Sequence, residues 1–382
     1  MEKQLIPELR FPYYNDDWDK VVLEKITTKI SDGIHSTPNY DLNGEYYFVN
    51  GNNLVNGSIS INENTKKVSL EEFKKHKRPL SKNSILLSIN GTIGNLALYN
   101  NENIVLGKSA CYINLQKDLP IDFYYYILQT PKIKKYFLSE LTGSTIMNLS
   151  LRTIKATKLI VPSLTEQQKI ASFLSDVDTV ITKLTKKKDL LEQYKKGTMQ
   201  KIFSQELRFK DDNGNAFPNW EEKKLGEVCK LQGGYAFKSN SFKDTGIPII
   251  RISNISNDNN YLNLENLVHY EEISNEENFT VLKGDLLIAM SGATTGKTSI
   301  SNYDGKCYLN QRVGLFKSKT DKLNYSYLVQ FVYSPIFGSQ LVRFLVAGAQ
   351  PNISSKDIES VRIPFPLTIE QQKISQFLSS ID

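Results

Sequence analysis

Residues 165–203 read TEQQKIASFLSDVDTVITKLTKKKDLLEQYKKGTMQKIF, and this stretch decides the fold. Apolar side chains recur in steps of three and four, interrupted only by Lys187, and the stretch contains no proline. Thr165 and Gln168 have the spacing of a capping box, which predicts the start of a helix. The periodicity predicts one long helix with an apolar seam, formed by Ile170, Phe173, Val177, Val180, Leu184, Leu191 and Tyr194.

A helix of roughly 40 residues would be about 60 Å long. A seam of that length needs a second long helix, either from this chain or from a partner. We therefore expect this helix to be a spacer whose apolar face packs against another helix. An ordinary core helix is the alternative, and Gly197 could end the regular part early because glycine costs about 1 kcal/mol inside a helix.

The chain repeats itself with an offset near 200 residues. The opening of the helix, EQQKIASFL at 166–174, returns as EQQKISQFL at 370–378. ELRF occurs at 8–11 and again at 206–209, each time followed by a tryptophan and, five residues later, a leucine. SILLSINGTIG at 84–94 matches DLLIAMSGATTG at 285–296, which predicts a strand that ends in a tight turn. A repeat of this length predicts two copies of one domain, each with its helix.

Each copy combines strand and helix signals, so we predict a mixed α/β (α+β) fold. Strand-like runs occur at 105–115 and 304–316, and helical stretches are predicted at Phe123–Leu138 and Tyr325–Val346. Residues 34–78 and 235–279 have little in common, which is expected of one scaffold that recognises two different things. The predicted segments are a first domain at 1–163, the spacer helix at 164–206, a second domain at 207–366 and the start of a second, shortened helix at 367–382.

The composition is that of a globular protein without a membrane span or a secretory signal. The 47 Lys and Arg residues exceed the 41 Asp and Glu residues, and the net charge of +6 permits a polyanionic partner. Cys111, Cys229 and Cys307 stand far apart, so neither a disulfide framework nor a zinc site is indicated. We expect a cytoplasmic protein.

No catalytic motif is apparent. The run from Gly292 to Thr298 resembles a phosphate-binding loop but has three residues between its glycines where the Walker pattern has four. We therefore predict a corner between two strands, with nucleotide binding as a remote alternative. The three histidines, His35, His76 and His269, are too scattered for a metal site. The sequence thus predicts a non-enzyme with no metal and no bound cofactor.

Basic loops are the remaining functional signal, because lysine and arginine neutralise phosphates and amide side chains can pair with adenine. Solvated surface is the alternative for any one of them. The candidates in the first copy are Lys66, Lys67, Lys74, Lys75, Lys77, Arg78 and Asn52, and those in the second are Lys238, Arg251, Asn254, Lys297, Gln311 and Arg312. Seven lysines against two acids within 182–201 could face DNA, an acidic partner or solvent.

The tandem domains, the duplicated EQQKI helix start, the ELRF entries and the run GYAFKSNSF…IPIIRISNI at 234–255 together resemble the specificity subunits of type I restriction-modification systems. The resemblance covers essentially the whole chain. It implies that two target recognition domains read the halves of a split double-stranded DNA site. It also implies that conserved helices bind methyltransferase subunits and that a motor-nuclease subunit completes the complex. S-adenosylmethionine, ATP and Mg would then be held by those partners.

The second helix departs from the family pattern because it stops at Asp382, soon after its start signal at Pro366. Either the sequence is a truncated form, or the seam is covered by a partner subunit or by a second copy of the chain, so self-association stays open. The expected helix interface consists of Ile170, Phe173, Val177, Val180, Leu184, Leu191 and Phe377. The alternative function is a non-catalytic scaffold that binds proteins through its duplicated domains and its coiled-coil helix.

Overall fold

The structure is a computed structural model that describes residues 7–143, 147–255, 259–345 and 352–382. It divides into two compact units, Met1–Leu184 and Thr185–Asp382, so the division falls inside the long helix. The predicted domain boundaries stay predictions.

The first unit is a mixed α/β domain. Its strands are β1 (Asp19–Val22), β2 (Thr27–Asp32), β3 (Tyr46–Val49), β4 (Leu54–Val55), β5 (Ser58–Ile59), β6 (Lys67–Val68), β7 (Ser84–Ser88), β8 (Leu96–Leu98), β9 (Ile104–Leu106), β10 (Ala110–Leu115) and β11 (Lys158–Val161). Its helices are α1 (Leu70–His76), α2 (Ile121–Leu128), α3 (Pro131–Ser139), α4 (Leu151–Lys155) and the first part of α5 (Leu164–Phe203).

The second unit repeats this framework. Its strands are β12 (Glu221–Lys224), β13 (Cys229–Gly233), β14 (Ile247–Ile250), β15 (Val268–Tyr270), β16 (Thr280–Val281), β17 (Leu286–Ala289), β18 (Thr298–Ile300), β19 (Cys307–Leu309), β20 (Val313–Ser318) and β21 (Arg362–Phe365). Its helices are the end of α5, α6 (Leu225–Val228), α7 (Tyr325–Val332), α8 (Pro335–Leu345), α9 (Ser355–Glu359) and α10 (Thr368–Ser379).

The sheets of the two units share one topology. The central antiparallel sheet has the order β2-β10-β7-β8 in the first unit and β13-β20-β17-β18 in the second. A second sheet contains one parallel pair in each unit, β3 with β9 in the first and β14 with β19 in the second. The strand that leads into each EQQKI helix pairs with the first strand of its unit, β11 with β1 and β21 with β12. The predicted mixed fold with two copies of one domain is confirmed.

Each unit has its own hydrophobic core, which lies between the central sheet and the helices. In the first unit the core includes Ile113 and Phe137, with Ala171 from the start of α5. In the second unit the last turns of α5 contribute Met199, Ile202 and Phe203. The Phe203 ring lies 5.7 Å from the rings of Tyr327 and Phe331. The two ends of α5 are therefore buried, each within its own unit.

Helix α5 has 40 residues, and the periodicity predicted its extent closely. It begins at Leu164, so Thr165 lies within the first turn and the predicted capping box is wrong. The Thr165 hydroxyl instead lies 3.3 Å from the Ser163 hydroxyl. Gly197 does not end the helix, which continues for six further residues because Met199, Ile202 and Phe203 are packed in the core.

The two long helical stretches predicted after the central strands are each divided in two. A break precedes Pro131 in the first unit and Pro335 in the second, because proline disfavours helical geometry in the residue before it. The predicted end of the second stretch, Val346, lies outside the described residues.

Residues 34–78 and 235–279 differ in sequence but share one feature of the backbone. Both contain a short 3₁₀ turn, Gly51–Asn53 and Ile252–Asn254, directly after β3 and β14. The equivalent hydrogen bonds that close these turns are made by the backbone and by one asparagine, so few side chains reveal the similarity.

Candidate nucleic-acid interface

Three turns meet at one end of the sheets in the first unit. We call residues 50–53, 91–94 and 107–109 the turn face of this unit. In the first turn, Asn53 Oδ1 accepts the Asn50 N–H over 3.0 Å and Asn53 Nδ2 donates to Ser60 O over 3.1 Å. Asn52, between two fixed neighbours, stays exposed.

Side chains link the first turn to the other two. Ser109 Oγ donates to Asn50 Oδ1 and accepts the Gly51 N–H, both over 2.9 Å. Thr92 Oγ1 donates to Gly51 O over 3.3 Å. Gly51 has no room for a side chain, since an added Cβ would lie 2.3 Å from the Ser88 hydroxyl oxygen. The turn face is therefore a rigid assembly, not three independent loops.

The turn face of the second unit comprises residues 251–254, 292–296 and 310–312, and three of its hydrogen bonds are equivalent to those of the first unit. The Arg251 N–H donates to Asn254 Oδ1 over 3.0 Å, and Asn254 Nδ2 donates to Asn263 O over 3.0 Å. Thr294 Oγ1 donates to Ile252 O over 3.1 Å, in the role of Thr92. The framework is shared, although the side chains on it differ.

The charge of the two faces differs at two equivalent positions. Asn50 and Ser109, which bond to each other in the first unit, correspond to Arg251 and Arg312 in the second. Two guanidinium groups carry only donors, so the two arginines cannot form the bond that joins Asn50 to Ser109. Each arginine donates to a different neighbour. Arg251 Nη2 donates to Asn266 O over 3.2 Å, and Arg312 Nη1 donates to Ser291 Oγ over 3.3 Å. The second turn face is thus the more cationic.

Most of the candidates predicted in the second unit come together at its turn face. Arg251, Lys297, Gln311 and Arg312 lie on or directly beside the three turns, and all but the half-buried Arg251 are exposed. Exposed Lys238 follows a segment that is bonded to this face, since the Gln311 N–H donates to Tyr235 O over 2.9 Å.

Asn254 does not fit the contact role predicted for it. It is 2% exposed, and its amide oxygen and nitrogen are both bonded within the turn. We therefore reinterpret Asn254 as the residue that closes the turn, the equivalent of Asn53.

The basic candidates of the first unit lie elsewhere, on β6 and α1. Lys66 Nζ lies 4.6 Å from the centre of the Tyr40 ring, and Lys77 Nζ lies 5.7 Å from that of Phe73. Lys74 is exposed on α1, and Lys67 on β6 is half-buried. Of the predicted set, only Asn52 is on the turn face itself.

Two members of this basic set are partly used within the fold. Arg78 Nη2 donates to Gly33 O over 3.0 Å, which ties the end of α1 to the segment beside Gly107. Lys75 Nζ lies 3.3 Å from Glu72 Oε1. A hydrogen bond from the Asn39 N–H and the neighbouring Lys75 lower the pKa of Glu72, although its burial opposes this. Lys75 is therefore partly neutralised by a carboxylate that stays charged.

Sequence reasoning missed Lys108, which is exposed at the tip of the turn between β9 and β10. Its equivalent is Gln311, because Ile34 bridges to Gly107 as Tyr235 bridges to Asn310. The signal was present in the repeat: LGKSA at 106–110 aligns with LNQRV at 309–313. Without the strand register, those two runs share only their leucine.

The sequence of the chain is similar to those of a known protein family. The sequence profile of the type I restriction modification DNA specificity domain matches residues 15–193 and again residues 218–382. The chain belongs to this family. The MjaVIII specificity subunit of Methanocaldococcus jannaschii is 28% identical over 79% of this chain and 73% of its own length. The putative MjaX specificity subunit of the same organism is 28% identical over 96% of this chain and 87% of its own length.

The fold is also that of a solved relative. The crystal structure of the S subunit of a type I restriction-modification system from M. genitalium has a TM-score of 0.65 with 17% sequence identity. The similarity covers 99% of this chain and 92% of the other. It supports two tandem domains joined by a long helix. Family membership identifies the chain as a non-catalytic DNA-specificity subunit and does not favour the protein-binding scaffold.

The run from Gly292 to Thr298 joins two antiparallel strands, β17 and β18, as predicted for a corner. The Gly296 N–H donates to Ala289 O over 2.8 Å, which closes the turn on itself.

In the described part of the chain, no group of three or more His, Cys, Asp or Glu side chains could hold a metal ion. The three cysteines are buried, and burial raises the pKa of the Cys229 and Cys307 thiols to about 12. No helix among the described residues is long and apolar enough to cross a membrane.

The apolar seam of α5 is largely exposed within each unit. Phe173 is 52% exposed although its ring lies 5.7 Å from that of Phe11, and Leu184 is 59% exposed. The remaining exposed members of the predicted seam are Val177, Val180, Leu191 and Tyr194.

Two predicted interface residues have other roles. Ile170 packs against the core of the first unit. Phe377 packs against the core of the second unit, with its ring 5.6 Å from that of Phe209. Both residues anchor their helices to the core of their own unit.

Proposed function

We propose that each turn face, with the cationic side chains around it, reads one half of a two-part double-stranded DNA site. The observation that carries this proposal is the pairing of one hydrogen-bonded framework with two different sets of exposed polar side chains. A rigid framework favours recognition because the side chains it presents need little ordering on binding. The different sets favour two unlike half-sites.

Helix α5 would fix the gap between the half-sites and bind the catalytic partners. Its exposed seam, with Phe173 and Leu184, is the kind of apolar stripe that a helix buries against another helix. We propose methyltransferase subunits as the occupants, with a second copy of this chain as the alternative. A solved structure with a similar fold comes from a type I restriction-modification system that assembles as a complex, which agrees with a multi-subunit setting.

Chemistry would then take place on the partners. We propose that the methyltransferase subunits hold S-adenosylmethionine and extrude the target adenine from the duplex. A motor-nuclease subunit would use ATP and Mg. This chain would determine which DNA sequence the complex binds, and the complex would work in the cytoplasm.

Footprinting of the complex of this chain with its methyltransferase partner tests the proposal. Two protected blocks separated by a less protected gap are expected. Binding should weaken steeply with salt, because phosphate contacts release counterions. A single continuous block, or equal binding to any sequence at moderate salt, would contradict it.

A further inference from the structure

The turns that connect β9 to β10 and β19 to β20 are pinned in the same way in both units. The Ala110 N–H donates to Gly107 O over 3.0 Å, and the Val313 N–H donates to Asn310 O over 2.9 Å. Each bond closes a four-residue turn. Lys108 and Gln311 occupy the same position in it, directly after the first residue.

Neighbouring strands hold each turn from both sides. The Gly107 N–H donates to Val49 O over 2.9 Å, and the Asn310 N–H donates to Ile250 O over 3.1 Å. On the other side, the carbonyl oxygens of Ser109 and Arg312 each accept a backbone N–H over 2.9 Å, from Ile89 and Met290 respectively. The backbone under Lys108 and Gln311 is therefore fixed, whereas both side chains are exposed.

The cationic residues predicted from the sequence differ from these two tips in their contacts. Lys66 and Lys77 lie over aromatic rings, and Lys75 is paired with Glu72. In the second unit, Arg312 is bonded to Ser291 beside the tip. Contacts of this kind suit the phosphate backbone, which positions a protein without specifying sequence. A long polar side chain on a rigid turn suits a base edge instead.

We propose that Lys108 and Gln311 are equivalent specificity-determining residues, each reading one base pair in the major groove of its own half-site. The inference rests on the proposed function and assigns it to two side chains. Lysine donates to the O6 and N7 acceptors of guanine, whereas glutamine pairs with N6 and N7 of adenine. The half-site of the first unit should therefore contain a guanine read by Lys108. That of the second should contain an adenine read by Gln311.

Exchange of the two side chains gives a matched test. The full chain, assembled with its methyltransferase partner, is used to select duplexes from a library with randomised sequence. Gln311→Lys should change the preferred base at one position of one half-site from adenine towards guanine. Lys108→Gln should make the opposite change at one position of the other half-site. The change in preference should be roughly 5- to 150-fold, the range for one good side chain to base contact.

Lys82→Gln is the control for charge, because exposed Lys82 precedes the start of β7 whereas the turn face follows its end. It should leave the selected motif unchanged. If the unsubstituted complex selects no two-part motif, the proposed function itself is wrong. If the unsubstituted complex selects a two-part motif and both Gln311→Lys and Lys108→Gln select that motif unchanged, the proposed function stands. The assignment of base reading to Lys108 and Gln311 is then overturned.

Discussion

The guanidinium of Arg10 donates two hydrogen bonds to the carboxylate of Glu166, from Nε to Oε1 and from Nη2 to Oε2, both over 2.7 Å. Arg208 and Glu370 repeat this pair in the second unit over 2.9 and 3.0 Å. The two short repeated tags, ELRF and EQQKI, are therefore the two halves of one contact, which holds the entry segment of each unit against the first turn of its helix. Paired charges of this geometry are among the stronger protein hydrogen bonds.

Removal of the acceptor in the second unit should destabilise it strongly. Glu370 is fully buried and accepts both Arg208 bonds and a third from Trp220 Nε1 over 2.9 Å. Glu370→Ala should lower the free energy of unfolding by about 3–5 kcal/mol, because it leaves a partly buried guanidinium without its counterion. Urea unfolding monitored by tryptophan fluorescence measures this. A loss below about 1 kcal/mol would show that the pair does not hold the entry segment.

The two tryptophans give a matched comparison within the repeat. Trp220 donates to Glu370, whereas the buried Trp18 Nε1 has no hydrogen-bond partner among the described residues. Trp18→Phe and Trp220→Phe both replace an indole by a smaller ring, but only Trp220→Phe also loses a hydrogen bond to a charged group. That bond is worth about 1.5–3 kcal/mol. Trp220→Phe should therefore be the more destabilising by roughly that amount in thermal or urea unfolding, and equal effects would contradict the assignment.

Gly197 should be replaceable by alanine with a gain in stability. It is exposed inside α5, and nothing lies within 4 Å of an added Cβ. Gly197→Ala should stabilise the chain by about 0.5–1 kcal/mol, because alanine is the better helix former. Gly338→Ala on α8 is a matched variant with the same open surroundings. In contrast, Gly314→Ala should destabilise, since its Cβ would lie 2.9 Å from the Leu231 side chain. Thermal unfolding followed by circular dichroism measures the stability of all three variants.

Lys74 on α1 and Lys77 directly after it should contribute to DNA affinity without altering the preferred sequence. In the proposed function Lys74 and Lys77 contact phosphates, and each such contact adds about 0.9 to the slope of log affinity against log salt. Lys74→Gln with Lys77→Gln should lower that slope by up to about 2. The control is Lys134→Gln with Lys135→Gln on α3, where both lysines are exposed and neither is a predicted contact. An equal slope for both double variants would remove α1 from the interface.

Acid stability should depend on Glu72. The Asn39 N–H, with Lys75, lowers the pKa of this carboxyl below its ordinary value of 4.5. A lowered pKa in the folded state adds stability above the unfolded pKa, and that stability is lost as the pH falls through the folded pKa. Glu72→Gln should therefore be less stable than the unsubstituted chain at pH 7, and the difference should shrink as the pH falls below 4.5. Urea unfolding at a series of pH values measures it, and a constant difference would mean that charge is not the cause.

The sequence predicted those parts of the fold that repeat in their side chains. The long helix was predicted to within one residue at its start, because its seam keeps one period from Ile170 to Tyr194. The breaks at Pro131 and Pro335 were missed, since apolar periodicity continues across them although proline forbids a continuous helix.

The turn faces could not be predicted in the same way. Their equivalence is carried by backbone N–H and C=O groups, which every sequence supplies, and by Asn53 and Asn254. The sequence predicts a contact role for Asn254 from its polarity, whereas its burial is visible only in the structure. Exposed Lys108 was overlooked, because only the strand register aligns it with Gln311.

In the proposed function the chain reads two half-sites at a fixed separation. Methylation mapping in a host that carries this chain and its partner methyltransferase tests this most directly. We predict modified adenines in a two-part motif, with a gap of constant length between the halves. A contiguous motif, a gap of variable length, or methylation without sequence preference would contradict the account.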